Sequence, residues 1–367
     1  MEGASGIESA LETAVASCDA LGCPPRLAAA IRYAVFPGGA RIRPRLCLAI
    51  AAGCGEPESP LAIATAASIE LLHCASLVHD DLPCFDDAEV RRNRPSVHRA
   101  FDERIALLVG DALIVLAFQN VARAFAQSPD RLPNLVLALT RAVGAPGGIV
   151  AGQAWECEDS TPLEEYRRQK TGALFIAATV GGALSAGADP TPWRVLGETL
   201  GEAYQIADDI RDALATDEEL GKPAGRDADL GRPTALAELG VQGAVKHFES
   251  LIARAAASIP ECPGAEFLRE LVDLEAQRLL PASANVGTSG TAIERLGPVT
   301  ASARTLLLRT CGTAASMVPN ITCTWPETRS FSAGGAPRYG TCTRLVFVTL
   351  LKSSPARWPE PPGPDDA

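Results

Sequence analysis

The segment from Leu61 to Val78 carries only Glu70 and His73 as strongly polar side chains, so a helix formed there has no solvent-seeking face. Such a helix has to be surrounded, which requires other helices packed around it. Ile105 to Ala126 and Leu174 to Leu184 read the same way. Between about residues 7 and 280, long stretches of Ala, Leu, Glu and Arg are interrupted at Pro24-Pro25, Pro37-Gly38-Gly39, Gly53 to Pro60, Pro129 to Pro133, Gly144 to Gly148 and Gly187 to Pro192. These are the punctuation that separates consecutive helices. β-Branched residues do not alternate with polar ones, and no hairpin dipeptide lies between apolar runs. The pattern predicts an all-α protein: a single large antiparallel helical bundle with a central cavity.

The net charge is -11. A nucleic-acid partner is therefore not expected, and any phosphate-bearing ligand has to be met by local cations or metal ions. The start, Met1-Glu2-Gly3-Ala4-Ser5, lacks a basic region followed by an apolar run. No uninterrupted apolar stretch approaches the ~18 residues of a membrane helix. The expectation is a cytoplasmic protein with no integral membrane segment. Its eleven cysteines are scattered, without the Cys-x-x-Cys spacing of a zinc site, and read as free thiols in a reducing compartment.

From residue 281 the character changes. The last 87 residues hold ten prolines and twenty Ser or Thr, and carry +3 against -14 for the remainder. We read residues 1–283 as one domain and residues 284–367 as an atypical Ser/Thr/Pro-rich tail, poorly ordered and a passenger to the activity. Arg344 to Leu351 is its only stretch apolar enough for a strand or short helix.

Asp80, Asp81 and Asp86 close the apolar segment, and Asp87 and Glu89 follow at once. Five carboxylates within ten residues repel one another unless cations neutralise them. On a regular helix Asp80 and Asp86 lie on different faces, but Pro83 disfavours helical geometry at Leu82 and bends the chain, which brings Asp86 back towards Asp80. A second cluster, Asp208-Asp209-Ile210-Arg211-Asp212, ends the helix-like run Leu196 to Ile206, with Asp208 and Asp212 spaced to share a face. Either cluster alone also reads as a solvated acidic surface. Two of them, each terminating an apolar helix, point to magnesium held by carboxylates for binding a diphosphate. Cations stand nearby: Arg91 and Arg92, Lys170 before an apolar helix, Lys222 after the second cluster, and Arg41 and Arg43 in a Gly- and Pro-bounded segment. Arg bridges phosphate oxygens with parallel hydrogen bonds, and Lys supplies a compact charge.

Five ordered blocks make a resemblance specific. They are Gly38-Gly39-Ala40-Arg41-Ile42-Arg43-Pro44; His73 through Arg92; Gly147-Gly148 with Gly152-Gln153; Lys170-Thr171-Gly172; and Tyr204 through Asp212 followed by Gly221-Lys222-Pro223. Over about residues 7 to 283 the chain resembles the trans-prenyltransferase (polyprenyl diphosphate synthase) family, most of all its bacterial geranylgeranyl diphosphate synthases of carotenoid and bacteriochlorophyll biosynthesis. The resemblance implies the isoprenoid synthase fold, a homodimer and magnesium, three ions in number with manganese as a substitute. It implies that Asp80 and Asp86 bind metal with Asp81 in support, and that Asp208 takes an ion opposite. Arg91, Lys170 and Lys222 would grip the allylic diphosphate, with Thr171 and Gln205 beside the reacting carbons. Arg43, His73 and Arg92 would hold isopentenyl diphosphate.

Two positions depart from the family. Ala40 stands where the family usually has Lys, and Gln153-Ala154-Trp155-Glu156 replaces the common Gln-x-x-Asp. Small residues Ala75 and Ser76, five and four positions before Asp80, leave room for a long product and imply geranylgeranyl diphosphate made from farnesyl diphosphate. Farnesyl diphosphate synthase is the alternative within the family. A non-catalytic synthase-like subunit is the alternative outside it, disfavoured because both acidic clusters are complete. A terpene cyclase would not need Arg43, His73 and Arg92 as a second substrate pocket.

Overall fold

Pro25, Pro60 and Pro133 each sit in the first turn of a helix, where the missing N–H has no helical partner to lose and the fixed φ favours entry. The sequence breaks therefore become helix starts. The computed structural model describes residues 2–280 except 37–38, 58, 125–127, 161 and 215–234. The 284–367 tail and Lys222 lie outside the described residues.

In chain order the helices are α1 (Glu2–Val15), α2 (Pro25–Val35), α3 (Ile42–Gly53) and α4 (Pro60–Asp80); then α5 (Val97–Ala100), α6 (Glu103–Arg123), α7 (Leu132–Val143) and α8 (Ile149–Ala154); then α9 (Leu163–Arg167), α10 (Ala173–Ser185), α11 (Trp193–Leu214), α12 (Ala235–Ser258) and α13 (Ala265–Leu279). α4 is the central one. Ser59 caps it, accepting a hydrogen bond from the Ala62 amide at 3.3 Å, and α6, α3 and α10 pack around it. Most of its residues are buried, among them Ile69, Leu71 and Leu72. α10 is buried almost throughout and touches α3 closely at Gly182, where a Cβ would lie 2.5 Å from the Cys47 carbonyl oxygen. Any larger residue would force these helices apart.

Two features add detail to the all-α expectation. Val90–Arg91 (β1) pairs antiparallel with Arg94–Pro95 (β2), so a minimal hairpin exists beside the bundle. Its turn is Arg92-Asn93, both in the left-handed region, a turn that the absence of glycine disguised. Two helices, Pro60–Asp80 and Glu103–Arg123, also have the length and hydropathy of a membrane span. Isolated polar residues such as Glu70 and Asp111 break the uninterrupted run without lowering the average enough. The most apolar window of Pro60–Asp80 is 72% buried inside the bundle, and that of Glu103–Arg123 only 39%. The outer face of α6 exposes Leu107, Leu108 and Val115.

Candidate active site

A cavity of about 460 Å³ opens at the end of α4 where the first acidic cluster lies. α4 stops at Asp80, and the next residues fold back on it: the Phe85 amide donates to the Leu82 carbonyl at 2.9 Å and the Asp86 amide to the Asp80 carbonyl at 3.0 Å. Asp80 and Asp86 consequently line the same cavity. Asp81 is turned away from it, held by both Nε and Nη2 of Arg91, with Nε 3.0 Å from Oδ1. Asp80 accepts from Gln153 Nε2 at 3.0 Å and lies 3.4 Å from Lys170 Nζ. Burial holds the Asp80 carboxyl above its ordinary range, with Lys170 and Gln153 pulling the other way.

Lys170 and Thr171 reach the cavity from a single wide turn of π-helix, Arg168–Gly172, between α9 and α10. α8 touches this turn at Gly152, where a Cβ would sit 2.5 Å from the Lys170 backbone nitrogen. Trp155 Nε1 donates to Gln169 Oε1 at 3.1 Å and fixes the turn from the other side. Lys170 Nζ donates to Glu156 Oε1 at 2.6 Å, and the Tyr166 hydroxyl donates to the same oxygen at 2.5 Å. Burial works against the Lys170 charge, but Asp80 first and then Tyr166 and Glu156 outweigh it, so the ammonium is held well above its ordinary range.

The second cluster faces the first from α11. Tyr204, Gln205, Asp208, Asp209 and Arg211 form the cavity-facing part of that helix. Arg211 Nη2 donates to Asp208 at 2.7 Å. Thr171 donates to Gln205 Oε1 at 2.7 Å, and Gln205 Nε2 donates to Asp209 at 3.0 Å, so three polar side chains are chained together. Asp212 is buried and does not line the cavity, so of the two carboxylates spaced to share a face only Asp208 reaches the opening.

The opposite half holds Arg43, His73 and Arg92. Arg43 stacks on the rings of Phe175 and Tyr204, 4.8 and 5.4 Å from their centroids, and its Nη1 is 3.4 Å from His73 Nε2. Its buried Nε has no hydrogen-bond partner among the described residues. Burial, and next the guanidiniums of Arg43 and Arg92, press the His73 pKa well below its ordinary value, so the ring is neutral. Behind them Glu70, 2% exposed, accepts from Arg41 Nη1 at 2.6 Å and lies 3.9 Å from Arg92 Nη2.

Of the residues singled out in the sequence, Arg43, His73, Ser76, Asp80, Asp86, Arg91, Arg92, Lys170, Thr171, Gln205 and Asp208 all line the cavity, as does Ala40. Ala75 does not; at 1% exposure it belongs to the hydrophobic core. Glu70, Tyr166, Arg167, Tyr204, Asp209 and Arg211 line it too and were not assigned roles there. Asp209 and Arg211 stood within the second acidic cluster, Tyr204 opens the last block, and Glu70 is one of two strongly polar residues between Leu61 and Val78; Tyr166 and Arg167 carried no signal.

Among the described residues, no three carboxylate, imidazole or thiol side chains converge into an all-protein metal site. Magnesium does not require one, because it takes one or two protein oxygens and fills its remaining positions with water and phosphate oxygens. Carboxylates on both sides of a polar cavity, with buried Asp80 pressed towards its protonated form, fit that ion.

A helical bundle whose charged cavity sets paired carboxylates against lysine and arginine is a site for diphosphate chemistry. The Polyprenyl synthetase family model matches residues 24–263. The geranylgeranyl diphosphate synthase of Cereibacter sphaeroides is 53% identical over 276 residues, which is 75% of this chain and 96% of that protein. Its counterpart in Rhodobacter capsulatus is 50% identical over 284 residues, 77% of this chain and 98% of that protein. Among solved structures, a geranyltransferase from Helicobacter pylori, complexed with magnesium and isoprenyl diphosphate, superposes with a TM-score of 0.64 at 27% identity. That match covers 75% of this chain and 97% of the other. The chain belongs to the polyprenyl synthetase family, has the isoprenoid synthase fold, and is a prenyl-transferring enzyme.

Proposed function

We propose that this enzyme condenses isopentenyl diphosphate with farnesyl diphosphate to make geranylgeranyl diphosphate, using magnesium, with manganese able to substitute. The observation that carries the reading is the division of one cavity into an acidic end, with Asp80 and Asp86 facing Asp208, and a cationic half built from Arg43, His73 and Arg92. Asp80, Asp86 and Asp208 would hold three magnesium ions, which supply positive charge to the departing diphosphate. Lys170 and Arg91 grip that diphosphate, and Lys222 joins them in the proposal. Thr171 and Gln205, already hydrogen-bonded to each other, sit beside the reacting carbons. Arg43 and Arg92 hold the isopentenyl diphosphate, and neutral His73 adds a hydrogen bond rather than a charge. No side-chain nucleophile takes part. The proton lost at the end passes to the departed diphosphate.

The apolar side chains Leu77, Ile149 and Leu174 line the cavity together with Ser76 and leave room for the growing chain. Ser76→Phe, which puts a ring into this space, is expected to shift the main product from twenty carbons to fifteen, read by radio-chromatography of the dephosphorylated lipids. Unchanged product length would place the floor of the channel elsewhere.

The exposed Leu107, Leu108 and Val115 of α6 support a homodimer through that face, since contiguous exposed apolar surface marks association. Sedimentation at the mass of a single chain would refute it. Free thiols support the cytoplasm as the working compartment, and a carotenoid-type pathway is the proposed destination of the product. The activity itself is tested by incubating the full chain with magnesium, isopentenyl diphosphate and farnesyl diphosphate. Diphosphate release with an elongated linear lipid is the expected result, and a cyclic hydrocarbon or no turnover would overturn the proposal.

A further inference from the structure

Glu70 is a carboxylate in a cavity that has to receive anions, and at 2% exposure it is almost completely withdrawn from water. A buried charge of that sign is unfavourable unless something compensates it. Two arginines do. Arg41 Nη1 donates to Glu70 Oε1 at 2.6 Å, and Arg92 Nη2 approaches the same oxygen to 3.9 Å.

Both arginines have unusual backbones. Arg41 has φ +50 and Arg92 φ +53, the left-handed region that side-chain-bearing residues other than Asn and Asp seldom occupy. Such conformations persist where the surroundings over-determine them. Here two of them, 51 positions apart in the chain, converge on one carboxylate. Arg41 is further pinned by Glu8 of α1, its Nε and Nη2 lying 2.8 and 3.2 Å from the two carboxylate oxygens, and by the Val35 carbonyl at 2.9 Å. Arg92 is confined by Gly39, where a Cβ would lie 2.9 Å from its Nη2. Arg41 is therefore consumed internally, with two carboxylates and a carbonyl on one guanidinium. Among the described residues Arg92 has only the long contact to Glu70, and it faces the cavity.

We infer that Glu70 is a positioning residue for the isopentenyl half of the site: with Glu8 it clamps Arg41 at the start of α3, whose first turn carries Arg43, and aims Arg92 at the substrate diphosphate. This inference rests on the proposed function. Its importance is raised by Ala40, which lines the pocket without bringing a charge, so binding depends on the aim of Arg43 and Arg92. The acidic end of the cavity is not touched by this clamp, whose carboxylates and arginines all stand apart from Asp80, Lys170 and Asp208.

The test separates the two substrates. Glu70→Gln keeps the size of the side chain and removes its charge. It is expected to raise KM for isopentenyl diphosphate by about tenfold or more, the order for a charged hydrogen bond lost, with KM for the allylic diphosphate within about twofold of wild type. Binding of isopentenyl diphosphate alone, followed by calorimetry, should weaken in parallel. A purely structural defect would lower the active fraction, and so kcat, without this split. Should Glu70→Gln fail to fold, Glu8→Gln decides: its side chain is 36% exposed, it lies outside the cavity lining, and its effect is expected in the same direction at about threefold, the order of a partly exposed charge contact. Glu12→Gln, on α1 like Glu8, breaks an exposed pair with Arg32 of α2; it is the control and should change neither constant. Unchanged isopentenyl affinity in the folded variants, or equal loss for both substrates, would overturn the inference. A wild type that binds isopentenyl diphosphate without elongating anything would instead overturn the proposed reaction and leave the clamp to be judged by calorimetry. A wild type that does not bind it overturns both.

Discussion

Asp80→Asn is expected to lower turnover by about 100- to 1000-fold, the usual range when a preorganised electrostatic group is removed from a reacting centre, while leaving the protein as stable as the wild type or more so. The two halves of that outcome have one cause. Burial raises the Asp80 carboxyl above its ordinary value of 3.8, which means that the folded state favours the protonated form. Stability from such a group is present below that ordinary value and is lost as pH rises through the folded value. At neutral pH the ionised carboxylate is therefore a burden on the fold, retained for what it does to ligands. Asparagine can still accept from Gln153, and Lys170 keeps Glu156 as a partner. A thermal melt beside a steady-state assay checks both halves. A variant with near-normal turnover, or one that melts well below the wild type, would contradict this account of Asp80.

Gly152→Val is expected to damage catalysis from outside the cavity. A Cβ at this position meets the Lys170 nitrogen at 2.5 Å and its Cα at 2.7 Å, and both are backbone atoms that cannot rotate away. α8 and the π turn have to separate, and Lys170 moves with the turn. Misplacing a substrate-gripping group by about 1 Å costs on the order of 100-fold in rate, and overpacking adds about 1–3 kcal/mol of destabilisation. Measured kcat/KM should fall far more than the loss of folded protein explains. Wild-type kinetics in this variant would show that the turn tolerates displacement.

Much of this was legible in the chain because the informative residues were close together in sequence. An apolar helix without a polar face demanded a bundle, and that helix is α4. Pro83 demanded a bend, and the bend returns Asp86 to Asp80. What could not be read depended on distant partners or on rotation about a helix axis. Ala75 and Ser76 are neighbours, yet one residue step turns a side chain by about 100°, and only packing against α6 and α10 decides which of the two meets the cavity. Arg167 resembles a surface cation until the end of α9, where the π turn begins, brings it to the cavity. The Arg41–Glu70 pair joins residues 29 apart, and nothing local to either announces the other.

The contacts around the acidic end also have a consequence for how ligands enter. Lys170 rests on Asp80 and Glu156, Arg91 on Asp81, Arg211 on Asp208 and Arg167 near Asp209. Each positive group is matched with a negative one. A divalent cation arriving alone competes with an ammonium or guanidinium for its carboxylate, and a diphosphate arriving alone competes with a carboxylate for its guanidinium. When both arrive, the pairs exchange partners and no charge is stranded. On the proposed function each ligand would therefore raise the affinity of the site for the other by the same factor, and this end of the cavity would act as a latch that opens to the matched pair and resists either half by itself.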